Sequence, residues 1–298
     1  MRRSHTKQLS SRLRHDGLTI EGKSIAGNET YFRVKELGLA LDVGRCPDFL
    51  VGIRNLFITH AHVDHALGVP FHAAQRKLQQ LPPSRIHVPS EALDDFRSLI
   101  DAYERLQQTE YRLDLIGMSS GDEKKIRRDT VVRAHDATHS IPARAWEIIE
   151  IRETLRRELR GLENEEIRDR RLAGEEISET KRISRVFYTG DTDRRILESG
   201  GAIFRSKILI IECSFTSADD LERASRYRHI HLDDIFEFAD QFGNERVWLT
   251  HFSLRDRPEE IVERIDRRCP VALRNRIRFA FPPPLDRLQG SDLETRSE

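Results

Sequence analysis

The sequence contains 298 residues, of which 38% are hydrophobic and 34% are charged, and its 50 basic residues balance 50 acidic residues. This length excludes a disulfide-stapled miniprotein and predicts one large domain, with or without an added lobe. A net charge of zero argues against a protein that binds nucleic acid through bulk charge alone.

The sequence also gives expectations about the cellular compartment. No stretch reaches the roughly 18–20 apolar residues that a membrane-spanning helix needs. The basic start at Met1–His5 lacks the apolar segment that follows in a secretory signal. Cys46, Cys213 and Cys269 are scattered, which predicts neither a disulfide framework nor a cysteine zinc site. We therefore expect a protein of the reducing cytoplasm that does not contact membranes.

Short apolar runs rich in β-branched residues alternate with helical patterns along the chain. The runs predict strands at residues 37–43, 56–59, 85–88, 130–134, 186–189, 207–211, 247–250 and 277–281. Helical spacing predicts helices at residues 91–111, with Ser90 as the N-cap, and at 233–242 and 258–268. Near-continuous apolar strands indicate burial on both faces, so the elements predict a layered α/β sandwich.

Residues 147–185 differ from the rest of the chain, because they are dense in Glu and Arg and poor in apolar residues. This pattern is typical of a solvated helix with charge pairs four residues apart and a turn near Gly174. The alternative is a protruding arm that contacts a partner or substrate, but the nearly balanced charges favour the solvated helix. Residues 1–16 and 290–298 are predicted to be disordered tails, which leaves residues 17–289 as the folded domain.

One short segment concentrates metal-binding side chains: His60, His62, Asp64 and His65 fall within six positions. His60 and His62 can face the same way from an extended segment, whereas Asp64 and His65 are adjacent, diverge, and can serve a second centre. A lone histidine would be interpreted as a surface residue, but four ligand-type residues at this spacing predict a metal site. Imidazole and carboxylate without thiolate suit zinc or manganese, and two ions about 3.5–4 Å apart would form a binuclear hydrolytic site.

Further ligand-type residues follow three of the later predicted strands, at His139, Asp191 and His251. Gly190 permits a tight turn before Asp191, whose carboxylate could bridge two ions. His135 competes with His139 for the same role. Because the ends of these strands are expected at one edge of the sandwich, we expect the three residues to join the first cluster.

Taken together, these residues resemble the set found in the metallo-β-lactamase fold: His60, His62, Asp64, His65, His139, Asp191 and His251. The chain is more closely similar to the ribonuclease Z (tRNase Z) family in its short plant-type form. These endonucleases remove the 3′ trailer from precursor tRNA. The blocks that carry this closer resemblance are residues 20–22, 24–30, 40–47, 188–192, 229–232, 251–253 and 282–284. The resemblance covers about residues 18–285 and implies a four-layer αββα sandwich with a charged arm.

The resemblance also implies a role for each candidate residue. One zinc ion would lie on His60, His62 and His139, a second on Asp64, His65 and His251, with Asp191 bridging them and manganese as the other candidate ion. Asp64 would also take a proton from the attacking water, His229 would donate one to the leaving ribose oxygen, and Glu212 would orient His229. From the residues alone, His229 and His231 could both be helix-start residues, and a buried Glu212 needs a positive partner.

Some positions depart from the family pattern. Arg144-Ala145-Trp146 stands where the family often has Gly-Tyr, and Leu254-Arg255-Asp256 stands where it tends to have Arg-Tyr. Residues 147–185 occupy the place of the family's tRNA-gripping arm, with balanced charges. Family members usually pair, so the resemblance implies a homodimer that acts on precursor tRNA.

Two other functions remain open at this point. One is a hydrolase of the same fold that acts on a small phosphodiester, a thioester or a lactone. The ligand blocks contain no cysteine, and the segment around His139 is not rich in glycine, which argues against β-lactamases and glyoxalase-like enzymes. The other is a non-catalytic binding protein that kept the fold, against which the complete set of ligand and proton-transfer residues argues.

Overall fold

The computed structural model describes residues 10–281, and within that range fourteen strands form two seven-stranded sheets. The strands of the first sheet lie side by side in chain order: β1 (Ser11–His15), β2 (Leu18–Ile25), β3 (Glu29–Val34), β4 (Leu39–Leu41), β5 (Asn55–Phe57), β6 (Ser84–Pro89) and β7 (Leu113–Met118). From β1 to β4 the neighbours are antiparallel, and from β4 to β7 they are parallel. Parallel neighbours need long crossovers, and the helices between β5, β6 and β7 provide them.

The second sheet repeats this arrangement with the later part of the chain. Its strands also lie in chain order: β8 (Glu123–Arg127), β9 (Thr130–Ala137), β10 (Ala143–Leu155), β11 (Ser178–Tyr188), β12 (Ile208–Glu212), β13 (Arg246–Thr250) and β14 (Ile277–Phe279). From β8 to β11 the neighbours are antiparallel, and from β11 to β14 they are parallel. The parallel strands β12 and β13 are buried at every position except the half-buried Arg246, as expected for strands covered on both faces.

Helices cover the outer face of each sheet, except for the fourth helix, which lies in the segment 147–185 and has no buried residue. They are α1 (Val63–Ala66), α2 (Val69–Leu78), α3 (Leu93–Gln107), α4 (Asn164–Leu172), α5 (Arg195–Glu198), α6 (Ala202–Arg205), α7 (Leu221–Tyr227), α8 (Leu232–Glu237), α9 (Pro258–Arg268) and α10 (Val271–Arg274). Single 3₁₀ turns lie at Asp48–Leu50, Ser90–Ala92, Arg157–Leu159, Ala218–Asp220 and Ala239–Gln241. In α9, Pro258 occupies the first turn and Ile261, Val262 and Ile265 are buried, so the apolar face lies against the sheet.

Three hydrophobic cores hold the layers together. In the central core, Phe32 lies with its ring centroid 5.4 Å from Tyr188 and 5.3 Å from Trp248, and Phe57 lies 5.3 Å from Trp146. These contacts join the two sheets face to face. A second core packs α1, α2 and α3 on the first sheet, and a third packs α5, α6, α8, α9 and α10 on the second. The predicted four-layer αββα sandwich is confirmed.

The predicted N-terminal tail is wrong for part of its length. Ser11–His15 forms β1, which pairs with β2 along its full length. Leu13 is buried, whereas Arg12 and Arg14 are exposed, so buried and exposed side chains alternate along the strand. The arginines made the segment resemble a disordered tail in the sequence. Residues 1–9 and 282–298 lie outside the described residues, and with them the predicted tail at 290–298 and the block at 282–284.

The charged segment 147–185 is not the predicted solvated helix. Its two ends, residues 147–155 and 178–185, belong to β10 and β11, which pair as a long antiparallel hairpin, and the only α-helix in the segment is Asn164–Leu172. The predicted turn near Gly174 is confirmed, with a φ of +81°. Ion pairs within the segment join Arg156 to Glu176, and also Arg160 to Glu179, Arg170 to Glu166 and Lys181 to Glu179. We call residues 147–185 the arm, and its charges largely neutralise one another.

The predicted strands and helices are present with shifted bounds. The helix predicted at 91–111 begins at Leu93, and its N-cap is Ala92 rather than Ser90, which lies in a 3₁₀ turn. The helix predicted at 233–242 is α8 followed by a 3₁₀ turn. No helix of the described residues is long and apolar enough to span a bilayer.

Candidate metal centre

The histidine-rich segment lies in the connection between β5 and α1, at one edge of the sandwich. His60 is completely buried, Asp64 and His65 are buried, and His62 is half-buried. His62 has an extended backbone and is the N-cap of α1, whose first turn contains Asp64 and His65. This change from extended chain to helix turns His60 and His62 to one side, while Asp64 and His65 serve the other.

Three further segments bring His139, Asp191 and His251 to the same place. His139 follows β9, Asp191 follows β11, and His251 follows β13. Two groups of ligand atoms together contain all seven residues, and within each group all atoms lie within 4.8 Å of one another: His60, His62, His139 and Asp191 in the first, and Asp64, His65 and His251 in the second. A third, overlapping group joins His229 to Asp191 and His251. The residues that the sequence placed in one site therefore do meet.

The distances show how tightly the first group is packed. The Nδ1 atom of His62 lies 3.0 Å from Nε2 of His60 and 3.2 Å from Nε2 of His139. Asp191 lies on the other side, with its Oδ2 3.8 Å from Nε2 of His60. Three ring nitrogens and one carboxylate oxygen thus face a common point, as expected for a metal site with nitrogen and oxygen ligands.

The second group shares Asp191 with the first. The Nε2 atoms of His65 and His251 lie 3.5 Å apart, and Oδ2 of Asp64 lies 3.6 Å from the former and 3.4 Å from the latter. The two oxygens of Asp191 reach both histidines, with Oδ1 3.3 Å from His65 and Oδ2 3.3 Å from His251. One carboxylate that touches both groups has the position of a bridging ligand.

Outer partners fix the ring nitrogens that face away from the centre. Nδ1 of His65 donates to Oδ2 of Asp42 at 2.7 Å, and Nδ1 of His139 donates to the carbonyl oxygen of Arg228 at 3.1 Å. Both acceptors can only accept, so Nδ1 carries a proton and Nε2 is the nitrogen that faces inward, where a bound cation would replace any second proton. This is the arrangement that metal-binding histidines require, and it shows that these side chains fit a divalent cation.

Asp42 is an important residue to which the sequence assigned no role. It is fully buried in the left-handed region, with a φ of +55°. Its carboxylate accepts from the backbone N–H of Thr59 at 2.7 Å, from the hydroxyl of Tyr188 at 2.7 Å, and from His65. The Thr59 hydroxyl also donates to Asp42 and lies 3.0 Å from Nδ1 of His60, from which it can accept. One buried carboxylate therefore anchors His60 and His65.

Glu212 is a second buried carboxylate, and it supports the opposite side of the cluster from Asp42. It is buried, its Oε1 accepts from Nδ1 of His229 at 2.8 Å, and its Oε2 accepts from the hydroxyl of Ser214 at 2.6 Å. Ser214 in turn lies 2.9 Å from Nδ1 of His251. The positive partner expected for a buried Glu212 is present, and the same carboxylate also anchors His251 through Ser214.

The charges of the cluster shift several pKa values. Burial alone raises the pKa of Asp191, but the neighbouring His251 and His65 outweigh it and hold that pKa well below its usual range. Burial lowers the pKa of His65, but Asp191 and Asp42 outweigh it and raise that pKa well above its usual value. For His60, burial dominates and lowers the pKa well below 6.5. The carboxylates thus favour positive charge at the centre, which is the electrostatic condition for binding a cation.

His229 lies beside the cluster with a different electrostatic state. Its ring centroid is 5.1 Å from that of His139 and 5.5 Å from that of His251. Burial lowers the pKa of His229, but the carboxylate of Glu212 outweighs it and raises that pKa to about 9. The imidazole is therefore protonated at neutral pH, which suits a proton donor.

His135 and His231, the alternatives to His139 and His229, lie outside the metal-binding groups. Nε2 of His135 lies 2.8 Å from Oε2 of Glu147, and His135 belongs to neither group. His231 is the N-cap of α8: its Nδ1 accepts from the backbone N–H of Asp233 at 3.1 Å, and its Nε2 donates to the carbonyl oxygen of Ser217 at 2.9 Å. Both ring nitrogens of His231 are used in the fold, so only His229 is available at the site.

Backbone conformation also places the ligands. Gly190 has a φ of +58°, and a Cβ atom there would lie 2.6 Å from Cβ of Thr59, so no larger residue fits before Asp191. The backbone N–H of Gly27, in the β2–β3 turn, donates to Oδ2 of Asp64 at 3.0 Å. His251 itself has a φ of +60°, an unusual conformation that often marks a functional site.

Comparison with known proteins agrees with the geometry. Residues 39–252 match the family model of the beta-lactamase superfamily domain, so the chain is a member of that superfamily. The tRNase Z TRZ1 of Arabidopsis thaliana is 32% identical over 274 residues, which cover 91% of this chain and 93% of that protein. The chain belongs to the tRNase Z family. The nuclear ribonuclease Z of Triticum aestivum is 38% identical over 169 residues, covering 57% of this chain and 96% of that protein.

Solved structures show the same fold. The short form of human tRNase Z superposes with a TM-score of 0.53 at 18% identity, covering 78% of this chain and 92% of that one. The metallo-beta-lactamase fold protein YhfI of Bacillus subtilis superposes with a TM-score of 0.59 at 14% identity, covering 89% and 96%. At these identities the superpositions support the shared architecture alone.

Proposed function

We propose that this protein is a metal-dependent endoribonuclease that removes the 3′ trailer from precursor tRNA. The observation that carries the proposal is the 32% identity to the tRNase Z TRZ1 of Arabidopsis thaliana along nearly the whole chain. The cluster of histidines and carboxylates supports it independently, because such a set suits hydrolysis of a phosphodiester.

The proposed metal set follows from the two groups. His60, His62 and His139 would hold one ion, Asp64, His65 and His251 would hold the other, and Asp191 would contact both. All of these donors are nitrogen or oxygen, which favours zinc, with manganese as the second candidate. Two such ions, when bound, lower the pKa of a water molecule and neutralise charge that develops on the scissile phosphate.

The protein's own side chains would carry the proton transfers. Burial raises the pKa of Asp64, but the hydrogen bond from His251 outweighs it and lowers that pKa, so the carboxylate is ionised and can accept a proton from the attacking water. His229, protonated through Glu212, would donate a proton to the departing 3′ oxygen. Without such a donor the alkoxide would leave about 10²–10⁴ times more slowly.

Single-turnover cleavage of a 3′-extended tRNA, compared with hydrolysis of bis-p-nitrophenyl phosphate, tests the proposal. We expect one cut near the 3′ end of the tRNA body, abolished in Asp64→Ala. Cleavage of the small ester alone would instead favour a hydrolase of small phosphodiesters. Fewer than one metal ion per chain, with no activity after reconstitution, would favour a non-catalytic binding protein.

We also propose that the protein forms a homodimer. Exposed apolar side chains extend over α1, α2 and α3, including Leu67 (54% exposed), Phe71 (47%), Leu99 (40%) and Leu106 (78%). Clustered apolar exposure of this kind often marks a protein interface. Sedimentation equilibrium should give twice the mass of the chain, whereas the mass of a single chain would rule the dimer out.

The compartment that we propose is the cytoplasm. Support comes from the cysteines, all three of which are buried and free, as expected for a reducing environment. We propose that the folded chain, including β1, acts as one catalytic domain from which the arm extends. Fractionation of cells that produce the tagged protein would test the compartment.

A further inference from the structure

Arg228 has a backbone conformation that arginine rarely adopts. It follows the last residue of α7 with φ +57° and ψ +55°, in the left-handed region that favours glycine. The turn closes through hydrogen bonds from the N–H of Arg228 to the carbonyl of Ser225 and from the N–H of His229 to that of Ala224. Glycine would form the same turn without steric cost, so the arginine side chain needs another explanation.

Arg228 contacts His139 through two hydrogen bonds that run in opposite directions. Its carbonyl oxygen accepts from Nδ1 of His139 at 3.1 Å, and its Nη1 donates to the carbonyl oxygen of His139 at 2.7 Å. The first bond fixes the ring and its protonation, and the second fixes the backbone from which the ring projects. His139 is buried, and its Nε2 faces Nδ1 of His62.

The same turn places the proposed proton donor. His229 is the next residue, and its ring centroid lies 5.1 Å from that of His139. A change in the backbone of Arg228 would therefore move His139 and His229 together.

An ion pair with another described residue does not explain the arginine at position 228. The side chain is exposed, and within residues 10–281 no carboxylate lies within ion-pair distance of its guanidinium. Arg223 of α7, by comparison, forms an ion pair with Asp220 at 3.2 Å. The contact with His139 is thus the interaction that accounts for an arginine at this position.

We propose that Arg228 is a positioning residue that holds His139 in its metal-binding orientation and aligns His229 beside it. This inference rests on the proposed function, because it assigns Arg228 to the same metal site. Partners that orient a metal-binding histidine typically contribute about 10–100-fold to metal affinity. The ring partner of His139 is the carbonyl oxygen of Arg228, and the guanidinium acts one step further away through the backbone of His139, so we expect an effect near the lower end of this range, about 10-fold.

The test is the variant Arg228→Gly, which keeps the left-handed turn and the carbonyl acceptor but removes the guanidinium. Because glycine relieves the backbone strain, a residue that served only the fold would give equal or higher thermal stability and unchanged metal binding. We instead expect one of two Co²⁺ ions to bind about 10-fold more weakly, as measured by the visible absorption of the ion and by competition with Zn²⁺. For a 3′-extended tRNA, kcat should fall while KM stays within about twofold of the wild-type value.

Two further variants separate positioning from charge. Arg228→Lys keeps one donor and should restore Co²⁺ affinity to within about threefold of wild type. Arg226→Ala removes another exposed cation of α7, whose guanidinium lies 5.7 Å from the Tyr227 ring, and should leave the Co²⁺ titration unchanged. If Arg228→Lys binds as weakly as Arg228→Gly, or if Arg226→Ala weakens binding equally, the positioning role is overturned.

Measurements on the wild-type protein distinguish a failure of the proposed function from a failure of the role of Arg228. Wild type that binds fewer than two Co²⁺ ions and leaves the tRNA uncut would overturn the proposed function and this inference with it. Wild type that binds two ions and cleaves, together with an Arg228→Gly protein whose Co²⁺ titration matches it, would overturn the role of Arg228 alone.

Discussion

Replacement of Asp42 by asparagine tests whether this buried carboxylate supports metal binding by fixing the protonation of His65. Asparagine has nearly the same shape, but one acceptor oxygen becomes an NH₂ donor. Oδ1 of Asp42 accepts from the backbone N–H of Thr59, and Oδ2 accepts from His65 and Tyr188. If the amide oxygen faces Thr59, the NH₂ group faces Nδ1 of His65. That nitrogen must then accept, so the proton moves to Nε2, where the metal would bind.

The size of the effect follows from the bond that is lost. A hydrogen bond to a charged acceptor contributes about 1.5–3 kcal/mol. Loss of an outer partner of a metal-binding histidine costs about 10–100-fold in affinity, which is about 1.4–2.8 kcal/mol. The two ranges agree, so we expect Asp42→Asn to lower the affinity for one metal ion by one to two orders of magnitude.

Titration with Zn²⁺ against a chromophoric chelator measures this affinity, and Tyr188→Phe is the matched control. That variant removes one bond to Asp42 and leaves the bond to His65 intact. It should therefore bind both ions almost as wild type does. If Asp42→Asn binds both ions with wild-type affinity, the buried carboxylate does not set the protonation of His65 and the reasoning is refuted.

Three other expectations concern proton transfer, backbone space and acid stability. His229→Ala should keep both metal ions but slow single-turnover cleavage at pH 7 by about 10²–10⁴-fold, and loss of metal would contradict its role. Gly190→Ala, with a Cβ 2.6 Å from that of Thr59, should lower the unfolding free energy by about 1–3 kcal/mol, which an unchanged urea midpoint would disprove. Burial lowers the pKa of His72 and of His87 from 6.5 to about 4. Below pH 6.5 these two histidines become protonated in the unfolded chain while they stay neutral in the folded protein. The free energy of unfolding therefore has its full value above pH 6.5 and falls by about 3 kcal/mol per histidine towards pH 4. Urea unfolding at pH 7 and 4.5 measures this loss, and His87→Phe should reduce it; an equal loss in that variant would contradict the linkage.

The sequence revealed the centre of the site because its ligands are local or follow strong strands. His60, His62, Asp64 and His65 form a dense motif whose meaning does not depend on the rest of the fold. His139, Asp191 and His251 follow strands with a clear apolar pattern, and β9, β11 and β13 run in the same direction within the mixed sheet, so their ends lie at the same edge. The predicted proximity follows from topology alone.

The outer partners could not be predicted in the same way. Arg228, Ser214 and Thr59 are ordinary polar residues in the sequence, and only the folded chain places them against the histidines. Asp42 gave one usable signal, since a carboxylate inside an apolar run at residues 39–43 must find partners when buried. The predicted secondary structure of the arm was wrong for a related reason. Cross-strand ion pairs stabilise β10 and β11, and a one-dimensional pattern of Glu and Arg does not distinguish such pairs from those of a helix.

Crystals of the protein grown with zinc, measured at the zinc absorption edge, test the central claim most directly. Two anomalous peaks per chain are predicted, one contacted by His60, His62 and His139 and the other by Asp64, His65 and His251, with Asp191 between them. A single peak, or peaks that do not touch His139, Asp191 and His251, would contradict the account.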